Sequence, residues 1–357
     1  MIRDLKLDNL RGLAMLLVVL AHFIQETCFY TSFAFNFTYK FIYLFHMPLL
    51  IFVSGYLSKI NKETGIKAFK GVFIPYLIFE TLWILFMFLK DGTIPPAMYF
   101  IPEVGLWYLL SLFFWRTILP VANKVKYAFW ISVLLALFVG TLDVNLGVLS
   151  ISRTICFFPV FLLGFYFRDI KEKVSINKYL AGGALIILLT ASTFVLKPFT
   201  ANILGLKLSY YDMHLGNLEG IVLRLMVMFV GMVSVVLLFN VMTSKETFLT
   251  RIGRNSLPVY VLQFYFIFSL PAIINYLGMN FIFHSYLLTT LYVILATVLV
   301  TFILSQDKVN EYVNNLIRTV TRILMKDESQ ENDLISSLNN IRGFLNKIMN
   351  LNGIYKK

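Results

Sequence analysis

The sequence predicts an all-α protein: a polytopic membrane helix bundle of about ten transmembrane helices, with both termini cytoplasmic. Three observations carry that prediction. Of the 357 residues, 59% are hydrophobic and only 14% charged, where a soluble domain carries about 25% charged residues. Mean hydropathy is +0.77. The apolar residues fall in runs of about 17–24 separated by short polar segments, the length a helix needs to cross a bilayer. Finally, the cations concentrate in every second connection, which is the positive-inside pattern.

The runs occupy residues 10–29, 41–58, 71–90, 104–120, 127–142, 149–167, 178–196, 219–240, 254–273 and 281–304. Arg3, Lys6 and Arg11 precede the first run, as in a signal peptide. No small-x-small cleavage site follows it and further runs come after, so the first helix is expected to stay. In the second run Pro48 forbids a regular helix just after His46, which places His46 at the outer end of that span. Ser54 and Gly55 let neighbouring helices approach closely there. Pro75 kinks the start of the third run.

Lys59, Lys62, Lys67 and Lys70 separate runs two and three. Arg116, Lys124 and Lys126 follow run four, Arg168, Lys171, Lys173 and Lys178 follow run six, and Lys245, Arg251 and Arg254 follow run eight. The alternate connections hold only Lys40, Lys90, Lys197 and Lys207. A net charge of +12 would otherwise suggest nucleic acid; placed this way it orients the chain in the bilayer, and no nucleic-acid partner is expected. Cys28 and Cys156 make neither a disulfide framework nor a metal-ligand spacing. Both fall towards the outer side, where a bridge is conceivable, but they read more readily as small buried hydrophobes, and no metal is expected.

The membrane-embedded part is expected over 1–305 and a cytoplasmic amphipathic tail over 306–357. Val309, Tyr312, Val313, Leu316, Ile317, Val320, Ile323 and Leu324 recur at helical spacing. After the acidic break "KDESQEND", Leu334, Leu338, Ile341, Leu345 and Ile348 form a second stripe. Such helices lie on the inner leaflet, or pack on each other, on a second copy or on a partner.

Several residues do not belong in lipid. In "LDNLRGLAMLLVVLAHFIQE", Arg11 and His22 are eleven residues apart, three turns within about 20°, so they share one helix face about 16 Å apart along its axis. Glu26 stands one turn beyond His22 on that face, where a carboxylate could orient the imidazole as a general base. His46 is a second imidazole, at the outer end of span two, where a kinked packing helix could also carry a polar residue. Lys67, Lys70 and Arg116 share the cytoplasmic surface with Arg11, a grouping suited to phosphates, although lysines there also serve topology alone. Glu103, Trp107 and Tyr108 mark the outer end of span four and Arg153 the outer edge of span six. Aromatic residues at such a mouth form an interfacial belt or stack on sugars.

These elements resemble the acyltransferase-3 family of integral membrane acyltransferases, in particular its fucose-4-O-acetylase-like branch. The Arg-x10-His motif "RGLAMLLVVLAH" carries the resemblance. "FHMPLLIFVSGYL", "KAFK" before "PY", "LWYLLSLFFWR", "RTICFFPVFLLG" and "GRNSLPVYVLQF" follow in the family's order across about residues 4–305. Two positions depart from the family. Lys67 and Lys70 stand where arginines are common, which keeps charge but loses the bidentate fork. Gln263 stands where many relatives have histidine, which removes an acid–base group.

The resemblance implies a bacterial cytoplasmic-membrane O-acyltransferase, most simply an O-acetyltransferase of the cell envelope. Acetyl-CoA or another acyl-CoA would be the co-substrate, gripped by Arg11, Lys67, Lys70 and Arg116. A hydroxyl of a cell-surface glycan or its lipid-linked precursor would enter from outside past Glu103, Trp107, Tyr108 and Arg153. His22 would act as general base or as a transient acyl carrier, Glu26 would fix its tautomer, and His46 would assist. The alternative from another class is a polysaccharide or lipid-linked glycan exporter or flippase, which ten spans with kinks and buried polar groups also describe.

Overall fold

The structure, a computed structural model, describes residues 4–28, 31–92, 98–142, 147–196 and 201–325. Every regular element among them is helical. Among the described residues eight stretches are long and apolar enough to cross a membrane, and two shorter apolar helices, Trp107–Ala122 and Ala128–Thr141, stand at the fourth and fifth predicted positions. All ten predicted runs thus coincide with helices. The second stripe of the tail lies outside the described residues.

Helix α1 (Leu5–Thr27) starts where Asp4 accepts the amide protons of Lys6 and Leu7, so two of the four orphan donors of its first turn are satisfied. It runs through the middle of the bundle, against six other helices. The second crossing is broken into α2 (Phe33–Tyr43) and α3 (His46–Leu57). The break precedes His46, and Pro48 therefore sits in the first turn of α3, where its missing N–H costs nothing. Because the crossing extends over Phe33–Leu57, His46 lies in its middle and not at its outer end. That corrects the expectation drawn from Pro48.

The third crossing begins earlier than its apolar run, with α4 (Thr64–Ala68), a π turn at Phe69–Phe73 and α5 (Ile74–Asp91). Pro75 cannot donate to Gly71, and the wider turn absorbs the missing bond. Lys67 and Lys70 are therefore helical residues. There follow α6 (Trp107–Ala122), α7 (Ala128–Phe138), α8 (Ile151–Ile170), α9 (Lys178–Val195), the single turn α10 (Ala201–Leu204) and α11 (Asn217–Val241). After these come α12 (Phe248–Arg254), α13 (Ser256–Tyr276), the short α14 (Phe281–His284), α15 (Tyr286–Leu304) and α16 (Asp307–Leu324). A second compact unit begins at Tyr312, within α16; in its described part Thr321 back-bonds to Ile317, and Tyr312, Leu316, Ile323 and Leu324 are exposed.

A buried polar knot fixes the end of α1 that carries Arg11, here called the near end. Asn9 is fully buried; its amide donates to the carbonyls of Thr243 (3.0 Å) and Lys245 (2.9 Å). Its oxygen accepts the hydroxyls of Thr247 (2.8 Å) and Thr250 (2.6 Å). All four hydrogen-bonding positions of the amide are used, so its burial is compensated. Beside it α1 and α12 cross with glycines face to face: a Cβ at Gly12 would overlap the Leu249 carbonyl, and one at Gly253 the Asp8 carbonyl. Arg254, read at the edge of span nine, lies on α12 and is engaged by Asp8 (3.9 Å) and Glu246 (3.3 Å).

At the far end, Arg224 of α11 does comparable work. It is 2% exposed, lies over the Tyr210 ring, and donates to the carbonyls of Ala136 (3.0 Å) and Leu208 (2.6 Å). Tyr210 in turn bonds Leu137 and Gly140. These bonds hold the 204–215 segment over the end of α7. Cys28 and Cys156 are both buried and free, as expected of small hydrophobes.

Candidate active site

One face of α1 passes two separate hollows. Arg11, Met15, Val18 and His22 recur at spacings of four, three and four residues, which keeps them on a single stripe. Arg11 and Met15 line a near cavity of about 200 Å³, and Val18 and His22 line a far cavity of about 60 Å³. Arg116 of α6 lines the near cavity and also a wider opening of about 340 Å³ beside it, where Asn61, Thr64 and Lys67 stand.

The far cavity collects most of the expected chemistry. His22, His46, Trp107 and Arg153 all line it, contributed by α1, α3, α6 and α8. His22 meets the edge of Phe264 at 4.7 Å, with the side chain of Gln25, three residues on, near its ring. The Gln25 oxygen also accepts the hydroxyls of Tyr39 (3.0 Å) and Tyr43 (3.4 Å) from α2. In His46, which is 1% exposed, Nδ1 stands 2.9 Å from the Ile42 carbonyl. A carbonyl only accepts, so Nδ1 carries the proton and Nε2 is the free acceptor of the neutral ring. The break between α2 and α3 is what brings that ring inward.

Arg153 lies 4.7 Å over the Trp107 ring, which stacks on Phe157. Its Nε finds no hydrogen-bond partner among the described residues. A cation held by an indole, with a buried donor to spare, can bind an oxyanion or a hydroxyl. Val104 and Gly105 close one wall, Val104 in the left-handed region (φ 41°).

Five expected residues fall elsewhere. Glu26 is exposed and is not part of the cavity wall; Gln25, also exposed, is the one of the two that accepts the hydroxyls of Tyr39 and Tyr43. Tyr108 faces the near cavity, bonded to Ser54 (2.5 Å), since one helical step of 100° turns it away from Trp107. Glu103 does not line the far cavity: its backbone N–H is held by Glu80 (3.0 Å), while burial pushes its own carboxyl above the ordinary value against the pull of Lys207. Lys70 is half-buried in the π turn and lines neither cavity, and Lys67 is exposed and paired with Glu63 at 2.8 Å. Lys67 also draws the Glu63 carboxyl below its usual value.

Sequence reasoning passed over Gln25, Tyr260, Glu80 and Arg224. The last two carried a visible signal, a charge inside an apolar run. Glu80 is fully buried, and its second oxygen lacks a partner among the described residues. Gln263 is buried too, donating to the Tyr260 carbonyl at 3.1 Å.

The profile of a family described as "Acyltransferase domain" matches residues 4–306, most of the chain and the whole of both cavities. The chain belongs to the acyltransferase-3 family. It is similar to the nodulation protein NolL of Sinorhizobium fredii (strain NBRC 101917 / NGR234), 28% identical over 189 residues, 48% of this chain and 50% of the relative. It also resembles the NolL of Mesorhizobium japonicum (strain LMG 29417 / CECT 9101 / MAFF 303099), 41% identical over 58 residues, 16% of each chain. The chain thus spans at most half the length of these curated relatives. No solved structure matches it.

Proposed function

We propose that this acyltransferase-family member moves an acyl group from cytoplasmic acyl-CoA, most simply acetyl-CoA, to a hydroxyl of a cell-surface glycan or its lipid-linked precursor. It would do so in the bacterial cytoplasmic membrane. One observation carries the reading: a single helix face presents a cation to one cavity and an imidazole to another, about 16 Å deeper. Donor phosphates fit Arg11 and Arg116, with Lys67 at the rim. The apolar walls of the near cavity, among them Met15, Leu50 and Leu109, suit an uncharged pantetheine arm.

In the far cavity His22 takes the proton of the acceptor hydroxyl as its oxygen attacks the thioester carbon. Gln25 orients the ring. Arg153 meets the negative charge that develops on the carbonyl oxygen. Collapse breaks the carbon–sulfur bond, and the imidazolium returns the proton to the departing thiolate. The acyl oxygen ester remains on the glycan. A cavity of about 60 Å³, against about 150 Å³ for one that holds benzene, favours a short acyl group. Trp107, stacked between Phe157 and Arg153, holds the guanidinium at the acceptor side.

Glycan mass spectrometry of a deletion strain complemented with wild type or His22→Ala tests the reading. Loss of one ester-linked acyl group in the deletion, restored by wild type and not by His22→Ala, is the expected result. Full acylation by a correctly inserted His22→Ala protein would favour the exporter alternative.

A further inference from the structure

We propose that Tyr260 is the partition between the near and far cavities and the residue that admits the acyl arm to His22. It rests on the transferase reading for what passes, though not for the barrier itself. Tyr260 lines both hollows, and no other residue described at either wall does. Its ring therefore stands across the path beside the stretch of α1 between Met15 and Val18. It is 4% exposed and packs edge-on against Tyr108 at 5.4 Å.

The ring is latched from the far side. Its hydroxyl donates to the carbonyl of Gly105, which with Val104 forms part of the far wall. That wall is itself pinned to α5, through the Glu103 N–H to Glu80 and the Tyr99 carbonyl to Tyr76 (2.6 Å). Gly105 cannot carry a side chain, because the ring of Phe264 occupies the place of its Cβ. One residue on α13 is thus tied to the acceptor cavity while blocking the donor cavity. An acceptor hydroxyl seated against Gly105 competes for the same carbonyl and frees the ring to swing. The donor arm then reaches His22 when something is there to receive its acyl group. Tyr260 acts as a positioning residue.

The test needs no turnover. A cysteine replacing Met47, on the far-cavity wall, reports which face of the membrane reaches that hollow; the native Cys28 and Cys156 are buried. Right-side-out and inside-out vesicles are treated with a charged, impermeant methanethiosulfonate. With Tyr260 in place the reporter should label from the far face and not from the face bearing Arg11. Tyr260→Ala should make it label from both faces. Tyr260→Phe keeps the ring but removes the latch, and should raise labelling from the Arg11 face about fivefold, the ratio one net hydrogen bond is worth. Retained far-face labelling shows that each variant is folded, and if Tyr260→Ala fails to fold, Tyr260→Phe decides. No gain from the Arg11 face overturns the proposal. A gain in a protein that never transfers an acyl group leaves the partition standing and removes the transferase reading.

Discussion

Replacing Arg11 separates donor capture from chemistry. The guanidinium lies about 16 Å along α1 from His22, in a different cavity, with Nη1 3.5 Å from the Gly253 carbonyl. It cannot touch the reacting carbon, so whatever it gives the donor is given equally in the ground state and the transition state. Its removal should therefore raise KM and leave kcat nearly unchanged. A charge-assisted hydrogen bond contributes about 1.5–3 kcal/mol, so Arg11→Ala should lower kcat/KM roughly 10- to 150-fold. Arg11→Lys keeps the charge and loses one prong of the fork, a loss of about fivefold. The assay is radiolabelled acyl transfer into membrane glycan at donor concentrations from well below to well above KM. A fall in kcat at saturating donor, with KM unchanged, would refute the assignment of Arg11 to the donor's phosphates.

His22→Ala should do the opposite, lowering kcat by about 10²–10⁴ while binding of a non-hydrolysable CoA thioether, measured by calorimetry, is unaffected. His46→Asn places an amide N–H where Nδ1 donates to Ile42 but supplies nothing at the Nε2 position; activity should drop while thermal unfolding in detergent stays within a few degrees of wild type. Glu63→Gln removes the exposed anion that holds Lys67 at 2.8 Å, and KM for the donor should fall by a factor of about 1.5–5. The same competition sets a pH sign: Lys67 keeps the Glu63 carboxyl below its usual range, so the pair persists in mild acid and breaks only as pH falls through that lowered value. Asn9→Leu strands four groups on the 243–250 segment, each costing about 1–3 kcal/mol if left unpaired. It should lower protein level in membranes more than turnover per folded molecule, with quantitative immunoblotting against activity as the check.

The bundle was legible because lipid demands long apolar runs, and the Arg11–His22 stripe because one helix fixes its own geometry. Local rules reached as far as that helix. Glu26 and Gln25 both fall one turn from His22, and only the tyrosines of α2, more than ten residues on, decide between them. Trp107 and Tyr108 are neighbours in sequence but belong to different cavities, which depends on where α1 and α13 stand. The apolar run over 41–58 puts His46 near one end, whereas the crossing already begins at Phe33 and is broken just before the histidine. Arg224 and Glu80 needed less; a charge amid apolar residues signals a partner, though not which one.

The knot around Asn9 also says something about the order in which this molecule can be assembled. Its partners lie 234 to 241 positions later in the chain, beyond seven further helical crossings. At about 5–20 residues per second of synthesis, α1 waits roughly 10–50 s before those carbonyls and hydroxyls exist. Throughout that interval a helix carrying an uncommitted amide and Arg11 resides at the membrane without the companion that its Gly12 surface is shaped to meet. The first segment to enter the bilayer is thus among the last to be fastened, and the donor end of the site closes only when α12 has arrived.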